Sequence, residues 1–370
     1  MENSASFETD LRLFFRNILS VIGFRPMELL HYLKVAWWQR QAYKKRQRCA
    51  RDNGLVVPPV IIASLTRKCN LACSGCYARS LAKENGEVEL AVEEFRRVLS
   101  EAQALGAGIV FLAGGEPLMR QDLLAVTEQF PRVQFLLFTN GMLIDQTEIK
   151  RLKARRNIFP MLSIEGHSGV TDARRGEGVF KKIENGMTML RNAGMHFGVS
   201  ITVTAQNRDM VTDRAFVSNL LQRGCKLFIF VSYLPVTPSF DATALSIEEH
   251  DAMMKELETF RKEFRALFVA FPGDEKKYGG CISSGRGFIH LSASGNVEPC
   301  PFSPFSDADI RNTSLEEALR SPLLKTIRDN RHILEEHGGA CALFEHREWV
   351  EAQVKKNQTD TEVECVELLS

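Results

Sequence analysis

Three thiols fall within eight residues, at Cys69, Cys73 and Cys76, directly after the apolar run Val60–Thr66. Thiolates are soft, charged donors suited to iron, and a cubane cluster normally takes one ligand on each of its four irons. The C-x3-C-x2-C spacing could line one face of a helix, but Gly75 and the preceding run favour a loop that wraps a single cluster. The fourth iron is then open to a ligand from outside the protein. The alternatives are a zinc knuckle and a chance grouping of buried thiols. No His or further Cys follows within twenty residues, which disfavours zinc.

Two further stretches carry chemistry. Gly114-Gly115-Glu116-Pro117 follows the apolar run 109–113. Glycines admit a ligand close to the backbone and a carboxylate beside them can accept from an ammonium group, although the same residues also make a plain strand-to-helix turn. Near the C-terminus, Cys281, Gly295 and Cys300 follow C-x13-G-x4-C. Residues 287–292 and 296–298 read as hairpin strands joined by Ala293-Ser294-Gly295, a turn that brings the two thiols near one another. Cys341 and Cys365 follow; Cys49 and Cys225 match no motif and read as inert buried thiols.

The elements that position these groups can be read from periodicity. Residues 1–57 are helical: Leu13, Phe14, Ile18, Leu19, Val21 and Ile22 fall at helical spacing, and Pro26 opens a second helix with Leu29, Leu30, Leu33, Ala36 and Trp37 on one face. That helix runs into Arg40, Lys44, Lys45, Arg46, Arg48 and Arg51. An aromatic face with a basic end suits peripheral contact with an anionic membrane or an acidic partner, and suits equally a helix packed on the core with a solvated end. From Pro58-Pro59 a strand–helix alternation begins, with apolar runs at 60–66, 109–113, 133–138, 161–164, 197–203 and 228–231. Six such units with buried, unalternating strands imply a parallel sheet. Six are too few for a closed eight-fold barrel, so the expected fold is α/β, a partial (β/α)6 barrel. The polar motifs lie at strand C-termini, where parallel α/β proteins place their sites. The core is expected over 58–245. A connecting helix at 246–270 carries Met253, Leu257, Phe260, Phe264 and Leu267. A small α+β unit follows at 271–345, and a charged helical tail at 346–370.

Composition agrees with a globular protein. The 370 residues carry a net charge of +1, which gives a nucleic-acid partner no support, and are 44% hydrophobic. Nine cysteines with a polar, acidic start argue against a secreted disulfide framework and for a reducing cytoplasm. No run of about 18 apolar residues suggests a membrane span.

With these motifs together, the sequence resembles the radical S-adenosylmethionine superfamily. Tyr77 follows the third cysteine and Gly75 stands where the family most often has an aromatic residue, a variant usual in the subgroup with a C-terminal auxiliary-cluster domain known as SPASM or twitch. The resemblance implies that Cys69, Cys73 and Cys76 hold a 4Fe-4S cluster. Its open iron would chelate S-adenosylmethionine, and one electron from it would release a 5′-deoxyadenosyl radical that abstracts hydrogen from substrate. Gly114, Gly115, Glu116 and Pro117 match the family's GGEP motif, with Glu116 contacting the methionyl amine. By the same resemblance Ser163 bonds the cofactor carboxylate or ribose. Asp172 and Arg175 fit a D-x-x-R-G pattern in which Arg175 meets a carboxylate, and Thr139, Asn140 and Asn207 complete the polar pocket. For these secondary residues a loop cap or Asx-turn is an equal reading. Cys281, Cys300 and Cys341 would bind a second, auxiliary 4Fe-4S cluster, its fourth iron open, capped by Cys365 or bound by a residue such as His337. A full SPASM domain has more cysteines, and Phe344 occupies the second place of a twitch-like C-x2-C, so a domain that has lost its cluster is the alternative. The implied partners are S-adenosylmethionine, a reductant such as flavodoxin or ferredoxin, and a peptide or small-molecule substrate. Peptide or protein modification, or cofactor biosynthesis, is the expected function, with lipid substrates and a non-enzymatic electron carrier as alternatives.

Overall fold

The structure is a computed structural model that describes residues 26–81, 87–236, 243–334 and 341–356. The expected helix over Leu13 to Ile22, and His337 and Cys365, lie outside the described residues.

Among the described residues, nine strands form one sheet in the order β7-β6-β5-β4-β3-β2-β1-β8-β9. They are β1 Val60–Thr66, β2 Ile109–Gly114, β3 Gln134–Thr139, β4 Ile158–Ile164, β5 Phe197–Val203, β6 Cys225–Ser232, β7 Leu267–Phe271, β8 Phe288–Leu291 and β9 Val297–Glu298. Strands β1 to β8 pair in parallel, and only β9 runs antiparallel, against β8. The sheet does not close on itself, which makes it a partial barrel. Alternation sorts its two faces. Ile61, Ala63, Val110, Leu112, Phe135 and Leu137 join the helices in the main core. Their neighbours Leu136, Phe159, Met161, Leu227, Ile229 and Val269 form a second apolar cluster on the inner face.

The expected six units are present, with two further parallel strands, β7 beside β6 and β8 beside β1. The helix expected to run to Leu267 ends earlier, at Glu263, and Leu267 opens β7. Met253, Leu257 and Phe260 are fully buried as their spacing requires. The hairpin read from the second cysteine set is β8–β9, with Gly295 at φ +95° in its turn. It also pairs with β1, Ile62 opposite His290, so the sheet crosses the expected boundary at residue 271.

Helix α1 (Pro26–Asn53) packs by a different face from the expected one. Leu30, Leu33 and Trp37 are about half exposed, at 54, 48 and 57%, whereas Val35, Gln39 and Arg46 are buried. The reason is polar: Gln39 Nε2 donates to the Gly108 carbonyl at 2.9 Å and Arg46 donates to that of Gly106. Those carbonyls end α2 (Val92–Leu105) and open β2, so buried polar bonds fix the helix where apolar periodicity pointed elsewhere. No helix among the described residues is long and apolar enough to cross a membrane.

Candidate active site

The cysteine loop leaves β1 at Thr66. Thr66 Oγ1 donates to Glu89 Oε1 at 2.8 Å, and the Arg67 N–H donates to the same oxygen at 2.8 Å, so the loop's origin is pinned. The end of β2 then runs alongside it: Gly115 N–H donates to the Thr66 carbonyl at 2.7 Å and Glu116 N–H to that of Lys68 at 2.8 Å. A Cβ on Gly115 would lie 2.1 Å from the Lys68 oxygen, so this approach of two backbones needs glycine. Across the mouth, Ser74 N–H donates to the Arg174 carbonyl at 2.9 Å. Gly75 adopts φ +63°, and a Cβ there would stand 2.5 Å from the Tyr233 hydroxyl. Cys69 is exposed and Cys73 and Cys76 are half-buried.

Two kinds of group face these thiols. Asn140 Nδ2 lies 3.7 Å from Cys69 Sγ, while it also donates to Asn70 Oδ1 at 2.8 Å. On the other side are Arg174 and Arg175 of helix α3 (Ser168–Arg175). Burial pushes the Cys73 thiol up, and the charges of Arg175 and Arg174 pull it back. Burial likewise opposes the Arg175 charge, but Glu165 outweighs it and holds Arg175 above its ordinary value. Arg175 Nε and Nη2 reach Glu165 Oε2 and Oε1 at 2.6 and 2.7 Å, and Arg174 Nη1 reaches Oε1 at 2.6 Å. The carboxylate that Arg175 meets is thus the chain's own.

The remaining expected residues divide. Glu116 is fully buried. Its carboxylate accepts from Thr139 Oγ1 at 2.8 Å, from Asn140 N–H at 2.8 Å and from Leu118 N–H at 3.0 Å. Burial raises its pKa against these bonds. Glu116, Thr139 and Asn140 therefore lock the ends of β2 and β3 together beneath the cysteine loop, and Pro117 starts the short turn that follows. Ser163 is half-buried beside Ser200 on the next strand, at an inner-face position of β4. Asn207 donates to the carbonyls of Glu165 and Thr202 at 2.8 and 2.9 Å and accepts from Thr204 N–H at 2.7 Å, so it braces the loop after β5. Asp172 accepts from the N–H groups of Gly178 and Phe180 at 3.1 and 2.7 Å and caps the next helix.

The second cysteine set sits in a small core of its own. Cys281, Cys300 and Cys341 border one apolar cluster with Leu323, Ile327 and Leu343. Cys300 is buried, which pushes its thiol well above the ordinary range, and Cys341 and Cys281 beside it push the same way. Tyr77 joins the two sets. Its ring lies 4.6 Å from that of Phe302. Burial raises its phenol, and Cys76 and then Cys300 add to the shift.

The sequence reading missed Glu165, Arg174 and Tyr233 as site residues. Glu165 and Tyr233 follow β4 and β6, and position at a strand end was the signal that could have found them.

The donor chemistry of the first set suits an iron–sulfur cluster: three thiols with an N–H donor and guanidinium charge beside them. The second set brings three thiols to the border of one small apolar core. Among the described residues, no three Cys, His, Asp or Glu side chains are gathered tightly enough to cage a single metal ion.

Known proteins agree with this geometry. Residues 63–214 match the Radical SAM superfamily. A Fe-coproporphyrin III synthase from Methanosarcina barkeri is 32% identical over 44% of this chain, and the chain spans only 41% of that protein. An AdoMet-dependent heme synthase of the same organism is 26% identical over 78% of this chain and 89% of its own length. Streptococcus suis SuiB bound to precursor peptide SuiA shares the fold, at TM-score 0.64 and 17% identity over 82% of this chain and 74% of SuiB.

Proposed function

We propose that the chain, whose residues 63–214 are a radical SAM superfamily domain, is an enzyme that uses S-adenosylmethionine for radical chemistry on an organic substrate. The observation that supports this is the joining of Thr66 and Lys68, which lead into the Cys69–Cys76 loop, to Gly115 and Glu116 by two backbone hydrogen bonds. Cys69, Cys73 and Cys76 would hold the 4Fe-4S cluster, and Gly114 and Gly115, which let the end of β2 lie against the Thr66 and Lys68 carbonyls, bring that backbone beside it to receive the amino-acid part of S-adenosylmethionine. When bound, the pair supplies one-electron cleavage of the sulfonium and hydrogen abstraction from substrate.

The chain's own residues do the rest. Asn140 holds Cys69 in orientation, and Arg174 and Arg175, fixed by Glu165, keep positive charge beside Cys73. Glu116 fixes the mouth from below rather than from the solvent side. Cys281, Cys300 and Cys341 would hold an auxiliary cluster, and the Tyr77 ring, next in sequence to Cys76, packs on Phe302, which borders the core of the second set.

Cofactor biosynthesis on a tetrapyrrole is the substrate class this reading takes first, because the heme synthase matches most of both chains. Peptide modification is the second reading, supported by the C-x13-G-x4-C hairpin and its likeness to peptide-maturing enzymes.

Replacing Cys69, Cys73 and Cys76 with Ala is expected to abolish 5′-deoxyadenosine release while about four irons remain on the second set. Release that survives the triple replacement would overturn the proposal. Iron coproporphyrin III added to the reduced wild-type enzyme is expected to speed the release and to change in mass. An unchanged rate and mass would sink the tetrapyrrole reading alone.

A further inference from the structure

Ser64, His290 and Glu298 come from three neighbouring strands and form one hydrogen-bonded line. Ser64 Oγ stands 2.8 Å from His290 Nε2, and His290 Nδ1 stands 2.6 Å from Glu298 Oε2. Strand register produces this: His290 faces Glu298 directly across β8 and β9, and Ser64 on β1 is two residues beyond Ile62, the register partner of His290. His290 and Glu298 are each 6% exposed, while Ser64 is half-buried. All three line one small cavity, with Gly114 and Gly115 on one side and Tyr77 and Pro301 on others. The cavity lies at the C-terminal end of β1 and is lined by Tyr77 and Pro301, the sequence neighbours of Cys76 and Cys300.

A carboxylate can only accept a hydrogen bond, so Glu298 selects the tautomer of His290 with its proton on Nδ1. That leaves Nε2 to accept from the Ser64 hydroxyl. The order hydroxyl, imidazole, carboxylate is the arrangement in which a hydroxyl can give up its proton while the carboxylate stabilises the imidazolium that results.

We propose that Ser64, His290 and Glu298 are a proton relay that removes an O–H or N–H proton from a substrate bound in this cavity. The substrate proton passes to Ser64 Oγ as the serine proton passes to His290 Nε2. The substrate keeps the electron pair of the broken bond, His290 becomes an imidazolium, and its Nδ1–H stays hydrogen-bonded to Glu298. In the proposed reaction the serine acts as a proton carrier; the Gly115 N–H beside the same cavity is already bonded to the Thr66 carbonyl. Ser64 touches substrate, and Glu298 acts through His290 as a positioning residue. This inference rests on the proposed radical function for its substrate, but the state of the relay does not depend on it.

The test uses the full chain, reconstituted with iron and sulfide, and the small reagent methanesulfonyl fluoride. Attack of Ser64 Oγ on sulfur forms the S–O bond, fluoride leaves, and the serine proton goes to His290. Peptide mass mapping is expected to find Ser64 sulfonylated far faster than the exposed Ser80. His290→Gln should reduce its labelling to the Ser80 rate, and the isosteric Glu298→Gln should slow it by about a hundredfold or more, as loss of the carboxylate does in serine triads. Labelling of wild-type Ser64 at the Ser80 rate, or labelling unaffected by His290→Gln, would overturn the relay. Should His290→Gln not fold, the wild-type rates and the 15N signals of His290 decide: protonation at Nδ1 supports the relay, and protonation at Nε2 contradicts it. Cleavage of S-adenosylmethionine is read separately on the wild type, so failure of the radical function and failure of the relay are told apart.

Discussion

Asn140 Nδ2 lies 3.7 Å from Cys69 Sγ, which makes the residue after β3 a hydrogen-bond donor to the first thiol of the cysteine loop. Donors to sulfur stabilise the reduced, more negative state of a cluster. Asn140→Leu is therefore expected to make the loop cluster harder to reduce. The loss of one hydrogen bond of about 1 kcal/mol corresponds to roughly 40 mV for a one-electron couple. An EPR-monitored redox titration reads the shift, and an unchanged potential would remove Asn140 from this role.

Glu165 and Arg175 form a two-point ion pair in which the carboxylate is 1% and the guanidinium 10% exposed. Removing Glu165 strands the Arg175 guanidinium in the interior, at a cost of about 3–5 kcal/mol. Glu165→Gln should lower stability by that amount in urea unfolding, and adding Arg175→Met should recover a large part of it. A single-variant loss under about 1 kcal/mol would show that the pair is solvated and does not hold the mouth together.

Much of this site was legible because its signals are local. The three thiols, the two glycines and Glu116 lie within short motifs at the ends of apolar runs, and each is found at a strand terminus as expected. Strand β7 was not legible: Leu267 continues the helical spacing of Phe260 and Phe264, and five apolar residues cannot be assigned to helix or strand by periodicity alone. The buried face of α1 was hidden for another reason. It is set by Gln39 and Arg46 reaching backbone carbonyls about sixty residues away, and no pattern within the helix encodes those partners. The same holds for Ser64 and His290, 226 residues apart, which meet only because β8 docks on the free edge of β1.

Gly75→Ala tests the shape of the cysteine loop. The left-handed backbone there costs an L-residue roughly 1–2 kcal/mol, and the added methyl would meet the Tyr233 hydroxyl at 2.5 Å. The loop cluster is expected to load poorly, giving fewer irons per chain than wild type while the second set stays filled. Full loading would mean that Tyr233 moves aside and does not shape the loop.

Cys225 offers a pH test apart from the clusters. Burial pushes its thiol up to about 12, from an ordinary value of 9.0. The raised value means that its contribution to stability is complete below pH 9 and is lost as pH rises through about 12. In the folded protein Cys225 should resist iodoacetamide at pH 7 to 9, and urea should make it reactive. Alkylation of Cys225 in the native state at pH 8 would show that β6 opens.

The most direct test of the account is iron content together with dithionite-driven cleavage of S-adenosylmethionine by anaerobically reconstituted protein, with no substrate added. The account predicts about eight irons per chain, four for each cubane, and slow release of 5′-deoxyadenosine. About four irons with release would reduce Cys281, Cys300 and Cys341 to structural thiols. Clusters that fill without any release would contradict the central claim that the joined Thr66–Cys76 and Gly114–Glu116 segments bind and cleave S-adenosylmethionine.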